Sequence, residues 1–275
     1  MTTCVRKAWL DLYGDGTTIR QLEDTTAGYF CQNLDLGFPA VREVVNNRPD
    51  QDGLADRTQY MGSRVVSAYI TTVAGAAASI DAVASSFAVY MQPSARPVLH
   101  YILDRPGTAE RTLTLRGAGY SWPVAGPAQR DIQLQWVAAD PVCRDPIVKT
   151  ATATPGGSDT IASAGDVPVR PLFRVTGPIT QANIAVTPPV YPAWHLAFAS
   201  SFTIAAGHHV DIDTDARTVF LDGDPAQPRL ANIDWTVTSW QWIPPMPSTS
   251  TMTLTGTSTS GATQVVAIWH DGYLT

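Results

Sequence analysis

The chain has 275 residues, enough for two ordinary domains that each bury a core, with 44% hydrophobic and only 15% charged residues. A net charge of −6 argues against the basic footprint with which proteins hold nucleic acid. No run approaches the ~18 apolar residues of a membrane span, and the N-terminus lacks an apolar signal core, so the sequence reads as a soluble protein not exported by a cleaved signal.

From the N-terminus, residues 8–13 and 28–34 are short apolar runs separated by Gly14-Asp15-Gly16, which predicts strands joined by tight turns. Residues 37–60 are polar and rich in turn formers, the pattern of a long loop or extended arm that a partner would order. A strand follows at 61–70. Over 76–91 the apolar residues Ile80, Val83, Ala84, Phe87, Tyr90 and Met91 recur at helical spacing, and Pro93 stops the helix. Residues 98–103, 111–115 and 131–136 read as further strands.

A boundary is expected next. Through Lys149 there are 14 Lys and Arg against 15 Asp and Glu, and beyond it 4 against 9. Residues 150–159 contain Pro155-Gly156-Gly157 and no core-forming pattern, so 150–167 is expected to link an N-terminal domain, 1–149, to a C-terminal domain, 168–275. Beyond 168 nothing reads as a helix. β-formers and turn signals recur at 168–175, 184–186, 194–198, 201–205, 210–213, 218–221, 235–242, 252–256 and 265–269, a strand count that fits a two-sheet sandwich.

Several constellations invite a chemical reading. Asp211, Asp213, Asp215 and Asp222 have the offsets of a calcium loop. Ala216 stands where that loop needs Gly, and no helices flank it, so a polar strand face and turn are expected instead. His208 and His209 are adjacent, and neighbours on a strand point to opposite faces, so a solvated strand entry is expected rather than a chelating pair. The stretch from Gly119 to Pro123 lacks the closing Gly of a nucleophile elbow, and Asp104 and Glu110 read as solvated turn charges. Cys4, Cys31 and Cys143 are odd in number and far apart, as reduced thiols would be. No catalytic set, cofactor motif or metal site is expected. Of the tryptophans, Trp235, Trp240, Trp242 and Trp269 fall in β patterns and read as core. Trp194, after Tyr191-Pro-Ala, is the one that could stack on a sugar from a loop, but core is the favoured reading there too, because loop aromatics are often buried under the loop.

The order of pieces from 207 onward carries a resemblance. Val210-Asp-Ile-Asp213-Thr214 leads to Arg217-Thr-Val, a turn at Gly223, a Ser-Trp240 stretch, a Pro break, a Thr-rich strand and a last strand ending at Trp269. This is similar to the C-terminal domain of siphophage distal tail proteins, clear over 168–274 and looser before it. The resemblance implies a mainly β protein: an N-terminal β-sandwich-like domain with one helix that forms a ring, a hexamer in that family, and a galectin-like C-terminal β-sandwich. Asp213, Thr214, Arg217, Gly223, Trp240 and Trp269 would then be structural motif positions. Implied partners are the tail tube protein, the tape-measure protein and tail-tip hub or fibre proteins, with a place at the virion tail tip after assembly in the host cytoplasm. The alternative reading is a carbohydrate- or receptor-binding sandwich module of the tail tip.

Overall fold

The structure, a computed structural model, describes residues 5–26, 29–42, 46–47, 54–55, 60–73, 80–104, 109–121, 124–126, 129–240, 243–244 and 248–274. The chain divides into two compact units, residues 1–146 with 274–275, and residues 147–273.

In the first unit the strands are β1 (Val5–Asp11), β2 (Ile19–Gln21), β3 (Tyr29–Asp35), β4 (Val41–Arg42), β5 (Asn46–Asn47), β6 (Leu54–Ala55), β7 (Tyr60–Met61) and β8 (Arg64–Val73). Helix α1 (Ile80–Ala88) follows, then β9 (Val98–Leu103), β10 (Arg111–Thr114), β11 (Arg116–Ser121), β12 (Val124–Gly126), β13 (Gln129–Ala138) and β14 (Cys143–Arg144). One antiparallel sheet runs β2-β1-β9-β10-β14, and another runs β11-β13-β8-β3 with β12 on β13. Strict alternation decides which side of each strand is buried: Val66, Ala68 and Ile70 on β8 face inward with Ile132, Leu134 and Trp136 on β13. Val83, Ala84 and Phe87 of α1 join Tyr90 and Met91 in the core, the stripe that the helical spacing predicts. Residues 76–79 of the expected helix lie outside the described residues. Gly117 permits the close approach of β11 to the helix end, since a Cβ there would stand 2.4 Å from the Met91 carbonyl oxygen. Within the expected arm, β4 pairs with β7 and β5 with β6, so its described parts are folded back as a hairpin rather than left as open loop.

The second unit contains β15 (Lys149–Ala153), β16 (Ser158–Ser163), β17 (Leu172–Thr176), β18 (Ile179–Thr187), β19 (Trp194–Ala197), β20 (Thr203–Ile204), β21 (His209–Asp213), β22 (Thr218–Leu221), β23 (Ser248–Thr257), β24 (Gln264–Trp269) and β25 (Gly272–Tyr273). Two antiparallel sheets, β15-β24-β17-β21-β22 and β16-β23-β18-β19 with β20 on β18, enclose one apolar core that includes Phe173, Ile184, Leu196, Ile212, Leu254 and Val265.

This arrangement corrects two expectations. The stretch expected as a linker, 150–167, holds β15 and β16, one strand for each sheet, and Ala151, Ala153 and Ile161 are buried in the core. The period of two was present in Lys149-Thr-Ala-Thr-Ala, but its inward positions carry methyl groups too small to stand out as a hydrophobic pattern. The expected strand at 235–242 is, over its described residues 235–240, a turn and irregular chain. Asp234 draws the backbone into that turn by accepting from both the amide and the hydroxyl of Thr236.

Residues 227–239 form a strap. Its start bonds β22 through Leu221 N–H to Gln227 O and Arg229 N–H to Val219 O. Its end bonds β19 through Asp234 N–H to Ala197 O and Ser239 N–H to His195 O. The strap thus covers an edge strand of each sheet, closing positions where another chain could add.

Candidate functional site

The β21–β22 hairpin gathers the motif positions and the nearby histidines. At its tip Asp213 Oδ1 accepts from the amides of Asp215 (2.8 Å) and Ala216 (2.9 Å), which fixes the turn. The buried Thr214 hydroxyl donates to Pro171 O at 2.7 Å and pins the tip to the residue before β17. Arg217 takes a left-handed φ of +55° to bring the chain back into β22. Gly223, at φ +70°, closes the next turn beside Asp211 Oδ2. Trp269 is buried at the end of β24, and Trp240 packs partly buried against the same core. Four of the six positions thus lie in turns of the hairpin region, and the two tryptophans meet the core.

The four aspartates at calcium-loop offsets do not converge. Arg174 forks onto both Asp211 oxygens at 2.8 Å, Asp213 caps the hairpin tip, and Asp215 pairs with Arg170 at 2.8 Å. Asp222 meets the histidines. Among the described residues no group of three or more His, Cys, Asp or Glu is placed to hold a metal ion.

The histidine pair lies at the strand entry, with the His208 side chain half exposed, but not for the reason expected. His208 precedes β21, so strand alternation does not separate it from His209. The left-handed φ of +53° at Asp222 turns that carboxylate back to both. Its Oδ2 lies 2.7 Å from His208 Nδ1, and its Oδ1 accepts the His209 amide at 2.9 Å with His209 Nδ1 at 3.5 Å. The His209 amide first, and the His208 ring second, hold the Asp222 carboxyl below its ordinary 3.8.

Elsewhere the weighed constellations also resolve into structure. Glu110 Oε1 lies 2.6 Å from His100 Nδ1, and that ring stacks on Trp9, so Glu110 orients an imidazole instead of pairing with Asp104. Residues 122–123 of the Gly119–Pro123 stretch, Trp242 and Cys4 lie outside the described residues. Burial pushes the Cys31 thiol up to about 11 and raises that of Cys143 as well, so neither is an activated nucleophile. No helix among the described residues is long and apolar enough to cross a membrane.

Of Trp194 and Trp235, the first keeps the core place that its sequence favours, and the second departs from its expected one. Trp194, the sugar candidate, is only 3% exposed on β19, with its ring edge-to-face against Phe173 at 6.0 Å, which leaves no face for a ligand. Trp235, expected in the core, is 54% exposed on the strap. Sequence reasoning missed it because the Trp-Thr-Val alternation imitates a strand. The Asp234-x-Thr236 turn signature just before it was the available sign of a loop.

No protein-family model matches the chain, and no curated protein sequence does. Among solved structures, the crystal structure of the SPP1 Dit protein (gp 19.1), described as a paradigm of the hub adsorption apparatus in Gram-positive infecting phages, aligns with a TM-score of 0.65 and 13% identity, covering 97% of this chain and 99% of that one. A chain of the phage P2 baseplate in its activated conformation aligns at TM-score 0.49 and 10% identity, covering 96% of this chain and 98% of that one, in the structures with Ca and with Sr alike. The chain thus has, along nearly its whole length, the fold of the SPP1 Dit protein.

Proposed function

We propose that the chain is a structural protein of the distal end of a long, non-contractile phage tail, where identical copies form a ring that joins the tail tube to the tail-tip proteins. The observation that supports this most is the alignment with the SPP1 Dit protein over 97% of one chain and 99% of the other. It spans both units in order, where a chance likeness of sandwiches would match one. The step from fold to role is an analogy, and the residues are compatible with it: the motif positions are structural, and the histidines and acids engage one another.

In this reading the partners are a second copy of the chain, in a ring of six, the tail tube and tape-measure proteins, and a hub or fibre protein. The chain acts without catalysis. The expected result is a ring in solution-mass measurement and negative-stain images, alone or on added tail tubes. A strict monomer at high concentration that also fails to join tail tubes would overturn it. A carbohydrate- or receptor-binding role for the second unit is favoured by one specific observation, the exposed indole of Trp235.

A further inference from the structure

Among the described tryptophans Trp235 is the one left more than half exposed, at 54%, although an indole carries one of the largest apolar surfaces a side chain can bury. Trp235 is not exposed by looseness. The residue before it, Asp234, is fixed at four points: its amide donates to Ala197 O at 2.8 Å, its carbonyl accepts the Thr238 amide at 3.0 Å, and its Oδ1 accepts the Thr236 amide at 3.0 Å and hydroxyl at 2.6 Å. The Thr238 hydroxyl in turn accepts the Ala197 amide at 2.9 Å. The turn that presents Trp235 is therefore stitched to the edge of β19 on both sides. Trp240, seated partly against the core, stands behind it with ring centroids 6.3 Å apart and planes at 49°.

The chemistry beside the indole is equally specific. Asp234 Oδ2 has no hydrogen-bond partner among the described residues, whereas Oδ1 holds the turn. The Thr236 hydroxyl and amide keep the Asp234 carboxyl below its ordinary range, so it is ionised at neutral pH and a strong acceptor. An exposed indole and, on the residue before it, a carboxylate oxygen without a hydrogen-bond partner among the described residues thus occur on one hydrogen-bonded turn.

We propose that Trp235 and Asp234 form a saccharide-binding platform, in which the indole stacks on the C–H face of a pyranose ring and Asp234 Oδ2 accepts a hydroxyl at the edge of that ring. A protein partner would use such a tryptophan as the centre of an apolar patch that excludes water. Around Trp235 on this turn stand Asp234, Thr236, Thr238 and Ser239, with Val237 the other exposed apolar side chain. That polar rim suits a ligand that is apolar on its face and hydroxylated at its edge. The platform belongs to the second unit alone and stands whether or not the chain forms rings.

The test uses the full chain with cellotetraose and chitotetraose, whose equatorial substituents leave continuous C–H faces. Saturable change in tryptophan emission, together with saturation transfer from protein to sugar, is expected for one or both. Trp235→Ala should weaken binding by at least about tenfold, Trp235→Phe should retain part of it, and Asp234→Asn, which keeps the Oδ1 acceptor of the turn, should weaken it severalfold. Trp235 lies at the surface, so the circular dichroism of its variants should match the wild type. Ring formation by Trp235→Ala should be unchanged, which separates this result from the assembly reading. No saturable response to either sugar up to about 10 mM overturns the proposal, as does a response that persists in Trp235→Ala. Loss of docking to a tail protein in Trp235→Ala, with both sugars inert, would assign the indole to a protein contact and overturn it too.

Discussion

At the residue scale, Asp222 joins a turn to both histidines of the β21 entry. It closes a left-handed turn, takes the His209 amide and lies against two imidazoles. Its carboxyl is depressed below 3.8 in the folded chain, chiefly by that amide. A depressed folded value means that the ionised form binds the fold more strongly than the acid form. The resulting stability is present above the unfolded value and is lost as pH falls through the folded one. Asp222→Asn should therefore lower the urea midpoint at pH 6 and make stability fall less steeply below about pH 4 than in the wild type, as urea titrations across pH 3 to 6 would read. An unchanged acid slope would mean that the contacts of Asp222 do not favour its ionised form. None of this was legible in the sequence. The spacing from His208 to Asp222 says nothing of a turn that folds one onto the other, and strand alternation applied to His208 was misplaced because the strand starts one residue later. The exposure of Trp235 has a similar origin, since whether an aromatic is core depends on what meets it: Phe173 packs against Trp194, whereas an Asp-capped turn carries Trp235 outward.

At the element scale, the strands with large apolar side chains were readable: β9, β13 and β21 fall where alternation places them, β22 and β24 where continuous β-former runs do, and the stripe of α1 where helical spacing does. The strands built on small residues were not. β15 and β16 bury Ala151, Ala153, Ile161 and Ser163, and a row of methyl groups on an edge strand does not announce a core. They matter nonetheless, because each completes a different sheet, and Asp159 ties the two by accepting the Thr152 amide at 2.6 Å. Buried Asp271, next to β24, also pairs with Lys149 at the start of β15. A fragment of residues 147–273 should fold alone, with β-type circular dichroism and blue-shifted tryptophan emission. A fragment starting at 168 should not, having lost an edge strand from both sheets and exposed the core behind them. By the same reasoning limited proteolysis should spare 149–163, whose backbone is paired. A folded fragment from 168 would show that β15 and β16 are accessory strands.

At the scale of the whole molecule, the distribution of charge bears on how copies would meet. Through Lys149 the chain is almost balanced, 14 basic against 15 acidic residues, and the excess of negative charge lies beyond. The first unit also leaves neutral side chains outward on a sheet, with Val65 and Tyr69 on β8 and Phe30 on the neighbouring β3 all exposed. Contacts made from such surfaces draw on apolar burial and backbone pairing more than on ion pairs. Salt shortens the reach of charge to about 3 Å at 1 M and leaves apolar burial intact. A head-to-tail contact that closes gives a ring, and one that does not gives a filament. If copies of this chain form a ring through the first unit, that ring should keep its mass when NaCl rises from about 0.05 to 1 M, whereas a ring clamped by ion pairs would fall apart over that range. Light scattering coupled to size exclusion at both salt concentrations reads the difference directly. Dissociation at high salt would place the assembly contacts on charged groups, and the balanced, low-charge first unit would then not be where copies meet.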